Sequence, residues 1–296
     1  LLAEVVFRHE IDQIVVAIPS ASSAQKRRLI RRVEGAGLPV KILPGLVEMV
    51  DGKAGVSDIR EVDVADLLGR DAVPPDPNLF ARNIAGKVVL VTGAGGSIGS
   101  ELCRQVLSQH PGRIVLLDHS EFALYTIDHE LQHAARGTEV VACLGSVLDD
   151  ALVRHLMKTH GVQTVYHAAA YKHVPIVEGN MQQGLRNNVF GTLNVARAAA
   201  EAGVETCVLI STDKAVRPTN VMGASKRVAE LVMQAAALRA GGRTVFSMVR
   251  FGNVLGSSGS VVPLFRRQIR AGGPITITHP DIIRYFMLIP EAAQLV

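Results

Sequence analysis

The chain has 296 residues, of which 48% are hydrophobic, 20% charged and 4% aromatic, with no Trp. That length supports one large domain or two smaller ones, and an aliphatic-rich, aromatic-poor composition suits buried parallel strands covered by Ala-rich helices. The net charge of +4 comes with no basic tract interleaved with aromatics, which argues against nucleic-acid binding and suits an enzyme for an anionic substrate.

Residues 1–73 read as a partial small α/β domain: a strand over 14–18, a helix over 21–34 and a strand over 40–43. The helix carries Lys26, Arg27, Arg28, Arg31 and Arg32, a solvated basic face or a contact for an anionic membrane surface. Residues 74–86, opening with Pro74-Pro75-Asp76-Pro77, read as a linker. From 87 to 296 the pattern restarts, with strands over 88–91, 114–117, 139–142, 164–167, 206–210 and 244–249 separated by helical segments. Such alternation predicts a doubly wound parallel α/β sheet. An amphipathic helix begins near Pro290, and with Leu1 in place of an initiator Met the sequence reads as a fragment cut at both ends. Cys103, Cys143 and Cys207 are odd in number and widely spaced, which gives no disulfide framework and points to a reducing, cytosolic setting.

Thr92-Gly93-Ala94-Gly95-Gly96-Ser97-Ile98-Gly99 follows an apolar strand and opens a helix. Glycines there let backbone N–H groups approach a pyrophosphate, whose charge the helix N-terminus stabilises. Asp118 follows about 20 residues on, where a carboxylate accepts hydrogen bonds from an adenosine ribose and repels a 2′-phosphate. This favours NAD over NADP, although Arg113, His119 and Ser120 keep NADP open. His167-Ala168-Ala169-Ala170 ends a later strand with small residues that allow a dinucleotide to pass closely.

Ser211-Thr212-Asp213-Lys214 ends another apolar strand, and Met222-Gly223-Ala224-Ser225-Lys226 follows. Where a short-chain dehydrogenase has a Tyr four residues before its Lys, this chain has Met222, whose thioether cannot exchange a proton. An acid and an amine side by side at a strand end suggest oxidation coupled to a second acid–base step.

Together these segments, with Arg250-Phe251-Gly252-Asn253 and Arg284-Tyr285-Phe286-Met287, resemble the extended short-chain dehydrogenase/reductase superfamily. Within it they resemble the polysaccharide-biosynthesis (CapD-like) nucleotide-sugar 4,6-dehydratases. The resemblance covers nearly all of 60–296 and implies an extended Rossmann fold. It also implies conversion of UDP-N-acetylglucosamine to a 4-keto-6-deoxy sugar, by C4 oxidation, loss of water across C5–C6 and hydride return to C6.

Several roles follow from the resemblance. Asp213 is implied as the acid at the C6 hydroxyl, Lys214 as the C5 base, Thr212 as a partner of the C4 oxygen and Lys226 as the holder of the nicotinamide ribose. The first two require a protonated carboxyl and a neutral amine. Gly93, Gly96, Ser97, Ile98, Gly99, Asp118, Ser120, Ser146, Val147, Ala168, Ala169 and Ala170 are implied at the cofactor. Ser146 departs from the family, which often has Asp there. Lys172, His173, Asn253 and Arg284 are implied at the diphosphate or sugar. A homo-oligomer on the cytoplasmic face of the inner membrane, anchored through its parent chain, is also implied.

Three rivals stand beside this reading. His129-Glu130-Leu131-Gln132-His133 satisfies the HExxH zinc pattern, but it falls on a crossover helix with no third ligand in view, so no metal is expected. The nearest enzymatic rival is a nucleotide-sugar 4-epimerase or a C5-inverting dehydratase, and an epimerase needs no acid–base pair for elimination. A non-catalytic NAD(P)-sensing module would not retain Asp213, Lys214 and Lys226.

Overall fold

In a computed structural model of the chain, residues 2–18, 20–43, 60–61, 76–257, 261–277 and 279–296 are described. The chain divides into two units, Leu1–Val73 and Pro74–Val296. In the first, helix α1 (Leu2–Arg8) precedes strand β1 (Ile14–Val16), helix α2 (Ser23–Glu34), strand β2 (Val40–Ile42) and strand β3 (Arg60–Glu61). β1 runs parallel to β2, with Ile14 opposite Val40, and β3 pairs antiparallel to β2. Val16, Ile30 and Ile42 form its core. The helix starts two residues later than the sequence suggests because Ser22 is its cap: its Oγ accepts from Gln25 N, and Gln25 Oε1 accepts from Ser22 N at 2.9 Å.

In the second unit, helix α3 (Pro77–Arg82) leads into β4 (Val88–Thr92), α4 (Ser97–Ser108), β5 (Arg113–Asp118), α5 (Glu121–Ala134) and β6 (Glu139–Leu144). Then come α6 (Asp150–His160), β7 (Thr164–His167), α7 (Val174–Gly179), α8 (Met181–Leu185), a π turn (Arg186–Phe190), α9 (Gly191–Ala202) and β8 (Thr206–Thr212). A 3-10 turn (Asp213–Ala215) joins β8 to α10 (Val221–Ala240), followed by β9 (Val245–Phe251), β10 (Asn253–Val254), α11 (Val261–Arg270), β11 (Phe286–Met287) and α12 (Ile289–Gln294).

Residues 76–86, expected as linker, belong to this unit. Ile84 is buried in its core, and the Asn83 carbonyl accepts from Thr164 Oγ1 at 2.6 Å. Residues 74–75 lie outside the described ones.

The six long strands form one parallel sheet in the order β6-β5-β4-β7-β8-β9. β4, β5, β7 and β8 are buried nearly throughout, as a parallel sheet covered on both faces requires. Side chains alternate between the two layers: Ile114 and Leu116 pack beneath α4 and α5 with Leu102 and Val106, while Val115 and Leu117 face Met157, Leu209 and Met233. This is the doubly wound α/β fold, and strand order reverses direction between β4 and β7, the point where such sheets hold ligands. No helix among the described residues is long and apolar enough to cross a membrane.

Leu116→Ala and Leu209→Ala, one in each layer and both fully buried, should each lower the unfolding free energy by about 2–5 kcal/mol. Urea unfolding followed by circular dichroism reads this as a lower midpoint with an unchanged slope.

Candidate active site

After β4 the chain turns through Gly93 (φ +69), and the backbone of Ala168–Ala169 after β7 crosses directly against it. A Cβ on Gly93 would lie 2.7 Å from Ala169 N. A Cβ on Gly99 would collide with the Gly93 carbonyl oxygen. Gly96 caps α4 without a side-chain hydrogen bond, the arrangement in which a helix N-terminus receives a phosphate.

Beside this turn lies a cavity of about 230 Å³ lined by Gly93, Gly96, Asp118, Ser120, Ser146, Val147 and Ala168 to Ala170. Asp118 is 6% exposed; Oδ2 accepts from Gly95 N at 2.9 Å and Oδ1 from Ser120 N at 2.8 Å. Each oxygen keeps a second lone pair for a ligand hydroxyl. Asp118 thus shapes the loop as well as bounding the cavity, which the sequence reading did not include. Ser120 Oγ caps α5, and Ser146 Oγ accepts from Leu148 N at 3.2 Å. Val147 packs over Gly191, where a Cβ would meet it. Ser97 and Gly99 form the first turn of α4, and Ile98 reaches the wall of a second cavity instead. The glycine cradle, capless helix start and buried carboxylate fit a dinucleotide.

The second cavity, about 570 Å³, is lined by Lys172, His173, Thr212, Lys214, Met222, Lys226, Asn253 and Arg284, with Phe251, Val261 and Leu264 on its apolar side. Ala168, Ala170 and Tyr171 line both cavities, so the two are neighbours at the β4–β7 switch. All four residues expected at the substrate therefore lie together. Burial lowers the Lys172 pKa from its ordinary value.

Thr212 Oγ1 donates to Asp213 Oδ1 at 2.9 Å, and Lys214 Nζ lies 3.0 Å from the same oxygen and 3.3 Å from Asn253 Oδ1. Asn253 thus orients Lys214. Burial pushes the Asp213 carboxyl up, but hydrogen bonds from Lys214 and Thr212 outweigh it and hold the pKa below the ordinary value. Asp213 is thus the carboxylate of an ion pair, half exposed beside the cavity, and the protonated form required of an acid must arise when it acts. Met222, 4% exposed, occupies the wall where a phenol was looked for. Lys226 is 5% exposed and donates to the Ile210 carbonyl at 2.6 Å. Burial drops its pKa to about 8 despite the opposing pull of Glu230.

Three further residues support the site. Asn188, in the π turn, accepts from Tyr171 N at 2.8 Å and donates to Tyr171 O and Ser225 Oγ, clamping the residue shared by both cavities. Glu230, one turn beyond Lys226, is fully buried among Ser211, Arg227 and Arg250. The Lys-to-Glu spacing of four on a helix was its only signal.

The HExxH residues are otherwise engaged. Glu130 binds Arg104 at 2.6 and 2.9 Å, and His133 Nδ1 bonds the His129 carbonyl. Among the described residues no three ligating side chains cluster.

Residues 89–296 match the family described as "Polysaccharide biosynthesis protein". The chain is 45% identical over its whole length to the capsular polysaccharide biosynthesis protein CapD of Staphylococcus aureus, spanning 49% of that protein. It is 37% identical over 215 residues, 71% of this chain and 61% of the other, to a UDP-glucose 4-epimerase of Rickettsia rickettsii. Among solved structures, Pen from Bacillus thuringiensis superposes with a TM-score of 0.68 at 34% identity, covering 72% of this chain and 66% of that one. MoeE5 in complex with UDP-glucose and NAD gives 0.58 at 25%, covering 69% of each. The fold and site define an extended short-chain dehydrogenase/reductase. The chain belongs to the CapD-like polysaccharide biosynthesis family, and it spans about half the length of its curated relative CapD.

His167 ties the two sides together. Thr192 Oγ1 donates to the Asn188 carbonyl, so it accepts from His167 Nε2 (3.0 Å), leaving Nδ1 to accept from Thr92 Oγ1 at 2.7 Å. Burial, with Lys226 nearby, lowers its pKa to about 3. A histidine held neutral when folded binds its proton more readily when unfolded, so its contribution is complete above the ordinary value and is lost as pH falls toward 3. His167→Gln should therefore show a shallower loss of unfolding free energy over that window than the parent protein, by up to about 1.4 kcal/mol per pH unit. Urea titrations of both proteins at stepped pH check it.

Proposed function

We propose that this chain carries the catalytic unit of an NAD(P)-dependent nucleotide-sugar 4,6-dehydratase, a hydro-lyase acting on UDP-N-acetylglucosamine. The observation that carries it is the Asp213–Lys214 pair, 3.0 Å apart at the end of β8, with Thr212 and Lys214 on the wall of the larger cavity. Oxidation of the C4 alcohol needs one group to accept the hydroxyl proton and no acid beside it. Elimination of water next to a ketone needs one group to take the C5 proton and another to protonate the departing C6 oxygen.

Bound in the glycine cradle, a nicotinamide dinucleotide would supply reversible hydride acceptance, and MoeE5 binds NAD and UDP-glucose on a like fold. Gly93, Gly96 and the start of α4 would hold its pyrophosphate, Asp118 its adenosine ribose and Lys226 its nicotinamide ribose. A carboxylate at the ribose favours NAD over NADP. Lys172, His173 and Arg284 would face the substrate diphosphate or sugar.

The ion pair contains the one proton that elimination needs. Its transfer from Lys214 Nζ to Asp213 along their hydrogen bond yields a neutral amine and a protonated carboxyl together. A substrate that excludes water favours this neutral pair, since desolvation penalises both charges. Lys214 then takes the C5 proton while Asp213 protonates the C6 oxygen, which leaves as water. The residues finish as the ion pair from which they began. Thr212 Oγ1, freed from Asp213, would donate to the C4 oxygen. By family kinship the full-length protein would work as a homo-oligomer on the cytoplasmic face of the membrane.

The 37% identity to a UDP-glucose 4-epimerase supports one other reading, C4 inversion. Mass spectrometry of the full-length protein incubated with UDP-N-acetylglucosamine and NAD separates the two. The dehydratase gives a product lighter by one water with no net reduced cofactor, whereas an isobaric 4-inverted sugar overturns the proposal. Asp213→Asn and Lys214→Ala should each lower turnover at least about a hundredfold while NAD affinity, read by calorimetry, survives. Undiminished turnover in either variant removes its assigned role.

A further inference from the structure

Glu230 is the one fully buried carboxylate in the second unit's described core, and no step above uses it. It sits on α10, one turn after Lys226. Three residues converge on it: Ser211 Oγ donates at 2.6 Å, Arg250 Nε at 2.7 Å and Arg227 Nη1 at 2.9 Å. Ser211 immediately precedes Thr212-Asp213-Lys214, and Arg250 lies opposite Ser211 in the β8–β9 register. A carboxylate taken wholly out of water is costly unless its lone pairs are filled and its charge is matched. Here both conditions are met, and the groups that meet them come from both strands flanking the catalytic turn.

We propose that Glu230 is a positioning residue for the dehydratase site: it locks the end of β8 through Ser211 and Arg250, and its negative charge supports the buried ammonium of Lys226. The proposal rests on the functional reading above.

The charge environment is defined from each side. His167 on β7 faces Lys226, and Lys172 and Lys214 line the same cavity, the latter paired with Asp213. Glu230, one turn further along α10, is the carboxylate whose charge acts on Lys226. Glu230 faces Arg250 from β9 and Arg227 from its own helix. Burial pushes its pKa up, but hydrogen bonds from Arg250, Ser211 and Arg227 overcome this and hold it at about 2, so it is anionic throughout the working range. Removing that charge lowers the pKa of Lys226 further, because Glu230 opposes the effect of burial there. The sign is then fixed: the alkaline limb of any activity that needs charged Lys226 moves to lower pH.

The test is Glu230→Gln in the full-length protein, which keeps the shape and one acceptor oxygen but removes the charge. Turnover of UDP-N-acetylglucosamine and NAD affinity are followed from about pH 6 to 9, with circular dichroism as the folding control. The expected result is turnover lower by about tenfold near neutrality and by more at alkaline pH, with the alkaline limb of both profiles shifted downward. A profile of unchanged shape, whether at full or uniformly reduced activity, overturns the charge role. Ser211→Ala removes one hydrogen bond and leaves the charge. It should lower turnover without moving either limb, and wild-type turnover in it overturns the positioning role even where Glu230→Gln fails to fold. A parent protein that binds NAD but dehydrates no UDP-N-acetylglucosamine defeats the functional reading alone, because the NAD-affinity profile still reports on Glu230 and Lys226.

Discussion

The site depends on how closely two backbone segments approach at the centre of the sheet. β4 and β7 are neighbours in space, but their following crossovers leave on opposite sides, which opens a crevice at their carboxyl ends. For that crevice to be deep, the turn after β4 must lie against the segment after β7, and only residues without bulky side chains permit it. Gly93 and the run Ala168 to Ala170 meet that steric demand. His167 fastens the same junction from within, bridging Thr92 on one strand and Thr192 on α9. The two cavities adjoin because the junction is thin: Tyr171, clamped by Asn188, belongs to both.

Charge follows the same geometry. Lys172, Lys226 and Arg284 border the larger cavity together with Lys214, which alone of the four is paired with a carboxylate beside it, that of Asp213. An excess of positive charge around a partly desolvated space is unfavourable when empty and is relieved by an anion. A diphosphate linking nucleotide to sugar would supply that relief, so the substrate class suggested by kinship is also the one the electrostatics favours.

Much of this was legible in the sequence, and what was not shares a cause. The six strands, the glycine turn and Asp118 announce themselves locally, because a strand's apolar run and a loop's spacing need no knowledge of distant residues. The strands β8 and β9 run on to Thr212 and Phe251, past the apolar runs, because Ser211 and Arg250 are held there by Glu230 from α10. Residues 76–86 read as linker because prolines mark breaks; Ile84 shows that the chain has already joined the core. Glu230 looks like an ordinary helix residue until the fold brings Ser211 and Arg250 to it. Nor does any sequence show which oxygen of Asp213 the neighbouring Lys214 reaches, on which the resting charge of the pair depends.

Met222 then becomes intelligible. A buried thioether closes the cavity wall but neither donates nor accepts a proton of consequence, so the proton traffic must pass through groups that remain. The Asp213–Lys214 pair is suited to that because its two members need opposite changes, which a single internal transfer provides. Separated residues would each have to exchange a proton with solvent, through a cavity whose chemistry benefits from excluding water. The pair must nevertheless stay in register while charged and while neutral, and its own mutual attraction is weakest in the neutral form. Rigidity has to come from elsewhere: from Asn253 on one side of Lys214, and from the buried carboxylate that holds Ser211, two residues before the turn.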